Sequence, residues 1–192
     1  MHTIVIDPVV PLARQFAWRW QMFKAVLLRD HRAGRALVAA TFPPGFTMLI
    51  ILGLSTLLTA ACVWLHYAGL VGFRRRAASL RWPAGAKLVF GLVVCFVMHV
   101  VEVTLFGVVY CTMARFESIF GRVDGEIGHA LRDYVYFSFT TYSTVGYGDL
   151  VPVGDLRIMA GIESLLGLVL VAWTASFLFL EMLEARSKEL DQ

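Results

Sequence analysis

In the run Ser143-Thr144-Val145-Gly146-Tyr147-Gly148-Asp149, glycine stands at every second place across Gly146 and Gly148. Alternate residues can therefore take backbone angles that a β-carbon penalises. Successive carbonyl oxygens can then be turned to one side, and the chemistry open to such a run is coordination of a dehydrated cation by backbone oxygen. A second group of residues is ionisable: His99, Glu102 and Glu163 lie inside long apolar stretches, where such residues are functional hypotheses by default. His99 and Glu102 are three apart and share a helix face. They read first as a buried hydrogen-bonded network that fixes helix packing, and alternatively as a proton-sensitive gate. An intramembrane metal site built with His66 would instead make the protein an enzyme.

The elements that must position these residues are apolar. Of 192 residues 58% are hydrophobic and 16% charged, against about 45–50% and 25% in soluble domains, and the mean hydropathy is +0.70. The composition implies an all-α membrane protein of one domain, with too little chain left for a catalytic module. Lys and Arg number 17 against 14 Asp and Glu, a net charge of +3, and the basic residues sit between apolar blocks, which argues against a nucleic-acid partner. Cys62, Cys95 and Cys111 are odd in number, lack metal-ligand spacing and lie in apolar stretches, so they read as small packed hydrophobes. The opening MHTIVIDPVVPL lacks the basic start of a cleavable leader.

Three stretches reach the roughly 20 helical residues that cross a bilayer: residues 46–70, 86–114 and 157–183. The basic segment 71–85, with Arg74, Arg75, Arg76, Arg81 and Lys87 in and beside it, is expected in the cytoplasm. That places the C-terminal tail, 184–192, in the cytoplasm and the N-terminus outside, although residues 1–45 are also basic. In that segment Leu12, Phe16, Trp20, Phe23 and Leu27 recur at helical spacing, as on an amphipathic helix lying at a membrane surface. Arg29, Arg32 and Arg35 repeat every third residue like a voltage sensor, but Asp30, His31 and Gly34 between them are not stable in lipid. After a polar entry at 115–129, residues 130–142 (ALRDYVYFSFTTY) form a helix of only about 20 Å. A half-membrane helix followed by irregular backbone is tolerated only where protein or water surrounds it, so the loop 143–149 faces a pore.

Thr144-Val145-Gly146-Tyr147-Gly148-Asp149 resembles the signature filter of potassium channels, and the order of helix, half-helix, filter and helix over residues 86–183 is similar to that family's pore module. The resemblance implies rings of carbonyl oxygens from four chains that replace the hydration shell of K+, with ion sites at Thr144, Val145, Gly146, Tyr147 and Gly148. Val145 and Tyr147 then line the wall, and the Thr144 hydroxyl adds an oxygen at the inner end. One chain carries one such loop, so a homotetramer in the lipid bilayer is implied, with K+ as permeant ion, no cofactor and no enzymatic activity. The filter's support departs from the family's common pattern. Tyr136 can donate to Asp149, Phe137 cannot hydrogen-bond Tyr147, and Thr140 stands where some members have a carboxylate. Outside the filter, His66, the three arginines, His99 to Glu102, Glu163, Gly167 and Trp173 look like a group of small three-span bacterial ion-channel proteins.

Gly167, in the middle of the third span, reads either as the hinge of a gating helix or as a close packing contact. Too few residues follow the third span for a ligand-binding domain, so regulation is expected from lipid, protons, voltage at the filter or a separate protein. The expected function is passive K+ conduction across the cell membrane; the alternatives are a less selective cation channel and a non-conducting, modulatory subunit that keeps the fold.

Overall fold

The computed structural model describes residues 45–126 and 128–190; the amphipathic segment and arginine triplet expected before residue 45 lie outside the described residues. Helix α1 (Phe46–Ser79) and helix α2 (Ala84–Met113) form an antiparallel pair joined by a short link that ends at Pro83. A 3-10 turn (Ala114–Phe116), the single turn α3 (Glu117–Phe120) and strand β1 (Arg122–Gly125) follow. Helix α4 (Leu131–Tyr142), strand β2 (Leu150–Val153) and helix α5 (Leu156–Leu190) complete the chain. Helices α1, α2 and α5 are long and apolar enough to cross a membrane, and the chain is a multi-pass membrane protein.

Two boundaries are corrected. The basic segment expected as a loop is helical through Arg74, Arg75 and Arg76 to Ser79, and the tail expected after residue 183 continues α5 to Leu190. An apolar window measures membrane thickness; a helix stops only where a residue ends it. Pro83, whose φ of −61° suits the entry to α2, is the first such residue after α1. The extended ends hold each other: Arg74 Nε lies 3.2 Å from Glu181 and its guanidinium also pairs with Glu184. The entry at 115–129 is likewise structured, since β1 pairs antiparallel with β2 in the register Val123↔Pro152 and Gly125↔Leu150. Gly125, at φ +135°, lies so close to the Asp149 carbonyl that a side chain could not be inserted. The ladder thus ties together the chain entering and leaving the α4 segment.

Helix α4 sits between α2 and α5 because its apolar and small residues fall on one face. Tyr134, Phe137, Ser138 and Thr140 are buried, while Arg132 and Phe139 point away. Against them pack Phe106 and Tyr110 of α2 and Leu156, Met159, Leu166 and Leu170 of α5, with Ile51 and Cys62 of α1 behind. Gly107 lets the α4 backbone approach, as a β-carbon there would stand 2.8 Å from Val135 Cα. Cys62, Cys95 and Cys111 are free thiols.

Candidate functional site

Helix α4 is capped at its start by Asp133, whose Oδ2 accepts the Ala130 N–H at 3.2 Å. A carboxylate in the first turn also opposes the positive end of the helix dipole. At the other end the chain folds back onto the last carbonyls. Ser143 N–H donates to Phe139 O at 3.1 Å, Thr144 N–H to Thr141 O at 3.0 Å and Gly146 N–H to Thr140 O at 3.1 Å. From α5, Ser164 Oγ also donates to Thr141 O at 3.0 Å. The segment beyond is held at the helix C-terminus, where the partial charge is negative.

Within that segment Thr144, Gly146 and Gly148 have φ of +60°, +53° and +82°. Every second residue is left-handed, so the alternation expected for two glycines extends to a third, non-glycine position. Nothing in the same chain stands within 4 Å of a β-carbon built at Gly146 or Gly148; within the chain it is conformation that calls for glycine there. Val145 and Tyr147 are 53% and 73% exposed on the single chain. Tyr136 Oη donates to Asp149 Oδ2 at 2.8 Å. Thr140 Oγ1 donates to the Phe137 carbonyl at 2.9 Å, within its own helix. Phe137 is turned into the core, edge-on to Tyr110 with ring centroids 5.0 Å apart.

Two buried polar clusters brace α4 from behind. In the first, Glu163 of α5 is fully buried. Its Oε2 accepts from Tyr110 Oη at 2.7 Å, and its Oε1 lies 2.5 Å from Ser138 Oγ, which is also 2.7 Å from the Val103 carbonyl. A serine hydroxyl has one hydrogen, yet this one faces two acceptors. All three contacts are satisfied when Glu163 carries a proton on Oε1 and donates to Ser138, which donates to Val103. Glu163→Gln, which supplies an N–H at that place, is therefore expected to leave thermal stability nearly unchanged. Glu163→Ala, which leaves the Tyr110 hydroxyl unpaired, is expected to cost about 1–3 kcal/mol; thermal unfolding of the two variants in detergent checks this.

In the second cluster five side chains from four helices close a ring. His66 Nδ1 lies 3.0 Å from Glu102 Oε1, and Glu102 Oε2 accepts from Tyr142 Oη at 2.6 Å. Tyr142 Oη is 2.8 Å from His99 Nδ1, His99 Nε2 is 3.1 Å from Thr174 Oγ1, and Thr174 Oγ1 is 3.0 Å from His66 Nε2. His99 and Glu102, expected on one helix face, are 3.2 Å apart. Tyr142 is the last residue of α4, so the ring reaches the backbone that enters the 143–149 loop. Gly167 meets the same residue from α5, where an added β-carbon would overlap the Tyr142 carbonyl. The helix runs unbroken through Gly167, which favours the packing account over the hinge.

Sequence reasoning missed Tyr110, Ser138, Tyr142 and Thr174 as members of these clusters. The available signal was a hydroxyl in an otherwise apolar, buried helix, which needs a partner. A family model described as "Ion channel" matches residues 86–184, just over half of the chain. Neither the curated proteins nor the solved structures contain a significant match to it.

Proposed function

The chain belongs to the ion-channel family, whose model covers residues 86–184, and from that premise we propose that it conducts K+ passively and selectively across the cell membrane as a homotetramer. The observation that carries the reading is the left-handed backbone at Thr144, Gly146 and Gly148 within a Thr-Val-Gly-Tyr-Gly-Asp run. Alternating handedness turns consecutive carbonyls to one side, and four such columns around an axis make rings of oxygens that replace the water around K+. Thr144, Val145, Gly146 and Tyr147 contribute those oxygens, Gly148 permits the last turn, and Tyr136 fixes the outer end through Asp149.

Four copies are required because one chain supplies one column. The exposed Val145 and Tyr147 support this, as do Leu165, Leu168, Val169 and Val171 on α5. The filter side chains stand at the loop, where lipid could not solvate the adjacent backbone, and a neighbouring copy covers them. The arginines at the end of α1 set the orientation, with the α1–α2 link and the end of α5 in the cytoplasm. Transport of this kind is passive and makes no use of catalytic residues.

Purified protein reconstituted alone in planar bilayers is expected to give currents whose reversal potential follows the K+ gradient and ignores Na+. A reversal potential that tracks both ions would instead establish a less selective cation channel. Folded protein that carries no current by itself would point to a modulatory subunit.

A further inference from the structure

The geometry points to a binding site for a divalent transition-metal ion of the zinc class at His66, His99 and Glu102, separate from the carbonyl sites of the filter. The Nδ1 atoms of the two imidazoles face one carboxylate, at 3.0 and 3.2 Å from its two oxygens. The ligand atoms of all three residues lie within 4.8 Å of one another. Four-coordinate zinc has bonds of about 2.0–2.1 Å to nitrogen and oxygen, which sets neighbouring ligand atoms about 3.3 Å apart. His99 Nδ1 and Glu102 Oε2, at 3.2 Å, thus stand close to a tetrahedral edge, with His66 Nδ1 3.0 Å from the carboxylate's other oxygen. Tyr142 Oη, 2.8 Å from His99 Nδ1 and 2.6 Å from Glu102 Oε2, offers a fourth ligand atom at the same point.

The far sides of the imidazoles carry the stronger argument. Both Nε2 atoms lead to one hydroxyl, Thr174 Oγ1, at 3.0 and 3.1 Å. Without a metal, neutral rings that both turn an Nδ1–H towards Glu102 present two acceptors to that hydroxyl, which has one hydrogen to donate. With a metal on both Nδ1 atoms, both Nε2 atoms carry hydrogen and both can donate to Thr174, whose oxygen has two lone pairs. A metal-bound imidazole almost always donates its other N–H in this way. The hydroxyl position therefore suits the metal-bound arrangement with no rearrangement. Two imidazoles with one carboxylate select zinc-like ions over Ca2+ and Mg2+, which take oxygen ligands. The His99 side chain is 18% exposed whereas His66 and Glu102 are sealed, so an ion enters past His99. None of this rests on ion conduction.

The test uses the untagged full chain in lipid nanodiscs, stripped with a chelator and titrated with Co2+ as a coloured stand-in for Zn2+. We expect the intense visible ligand-field bands of four-coordinate Co2+, saturating at one ion per chain and bleached by one equivalent of Zn2+. Thr174→Val should weaken binding by about 10- to 100-fold, the usual effect of removing an outer-shell partner, and His66→Gln or His99→Gln should abolish the bands. The histidine variants also remove buried hydrogen bonds that hold the helices together, so the wild type is decisive. Wild-type protein with its full helical circular dichroism and no four-coordinate Co2+ bands would overturn the site and leave the ring as hydrogen bonds alone. Bands that persist when both histidines are replaced would overturn it equally, by locating the ion elsewhere.

Discussion

Replacing Gly146 or Gly148 with Ala is expected to abolish the proposed potassium selectivity or the current altogether. Both glycines are left-handed, at +53° and +82°, and an L-residue in that region costs roughly 1–2 kcal/mol. In the proposed homotetramer that cost falls four times around one axis. No atom of the same chain crowds either position, so within the chain the penalty acts on the backbone. The chain relieves it by rotating the peptide, which turns a carbonyl away from the ion and an N–H towards it. Measured in bilayers, the K+ to Na+ permeability ratio should fall towards unity or the current should vanish, while assembly and helical content stay as in the wild type. Retained selectivity in both variants would show that these carbonyls do not line the pathway.

Gly167→Ala should produce the next largest effect, through a different cause. Here the backbone conformation is ordinary helix, and the obstacle is the Tyr142 carbonyl against which the new methyl would press. Overpacking of a tight contact costs about 1–3 kcal/mol. The displaced group is the last residue of α4, so the strain reaches both the polar ring through the Tyr142 hydroxyl and the filter through the following residue. Lower thermal stability together with reduced current is the expected result. A variant of wild-type stability whose only defect is a lower open probability would restore the hinge account.

The three spans, the half-length helix and the irregular loop were legible in the sequence because each depends on a length or a residue type that the membrane dictates. Residues 130–142 are too short to cross, and Gly146 and Gly148 stand at alternate positions where the backbone is left-handed. Helix ends were less legible. Arg74, Arg75 and Arg76 look like a loop by charge, but long basic side chains extend from a helix end into water, and Arg74 finds Glu181 and Glu184 across the bundle. Strands β1 and β2 contain four residues each, too few for a period of two to show, and their pairing joins positions 122–125 with 150–153. The polar clusters were half legible: ionisable residues in apolar helices announce themselves, whereas Tyr110, Ser138, Tyr142 and Thr174 become visible as partners only when α1, α2, α4 and α5 are set side by side.

At Thr144 stability and activity favour different residues. Glycine would hold the +60° backbone angle without the strain that threonine incurs there, and a search for thermostable variants would be drawn to that exchange. It would also delete the hydroxyl oxygen that the proposed function places at the inner end of the ion path. Stabilising selection applied without a transport assay should therefore erode this position first, yielding a protein that folds better and handles its ion less well.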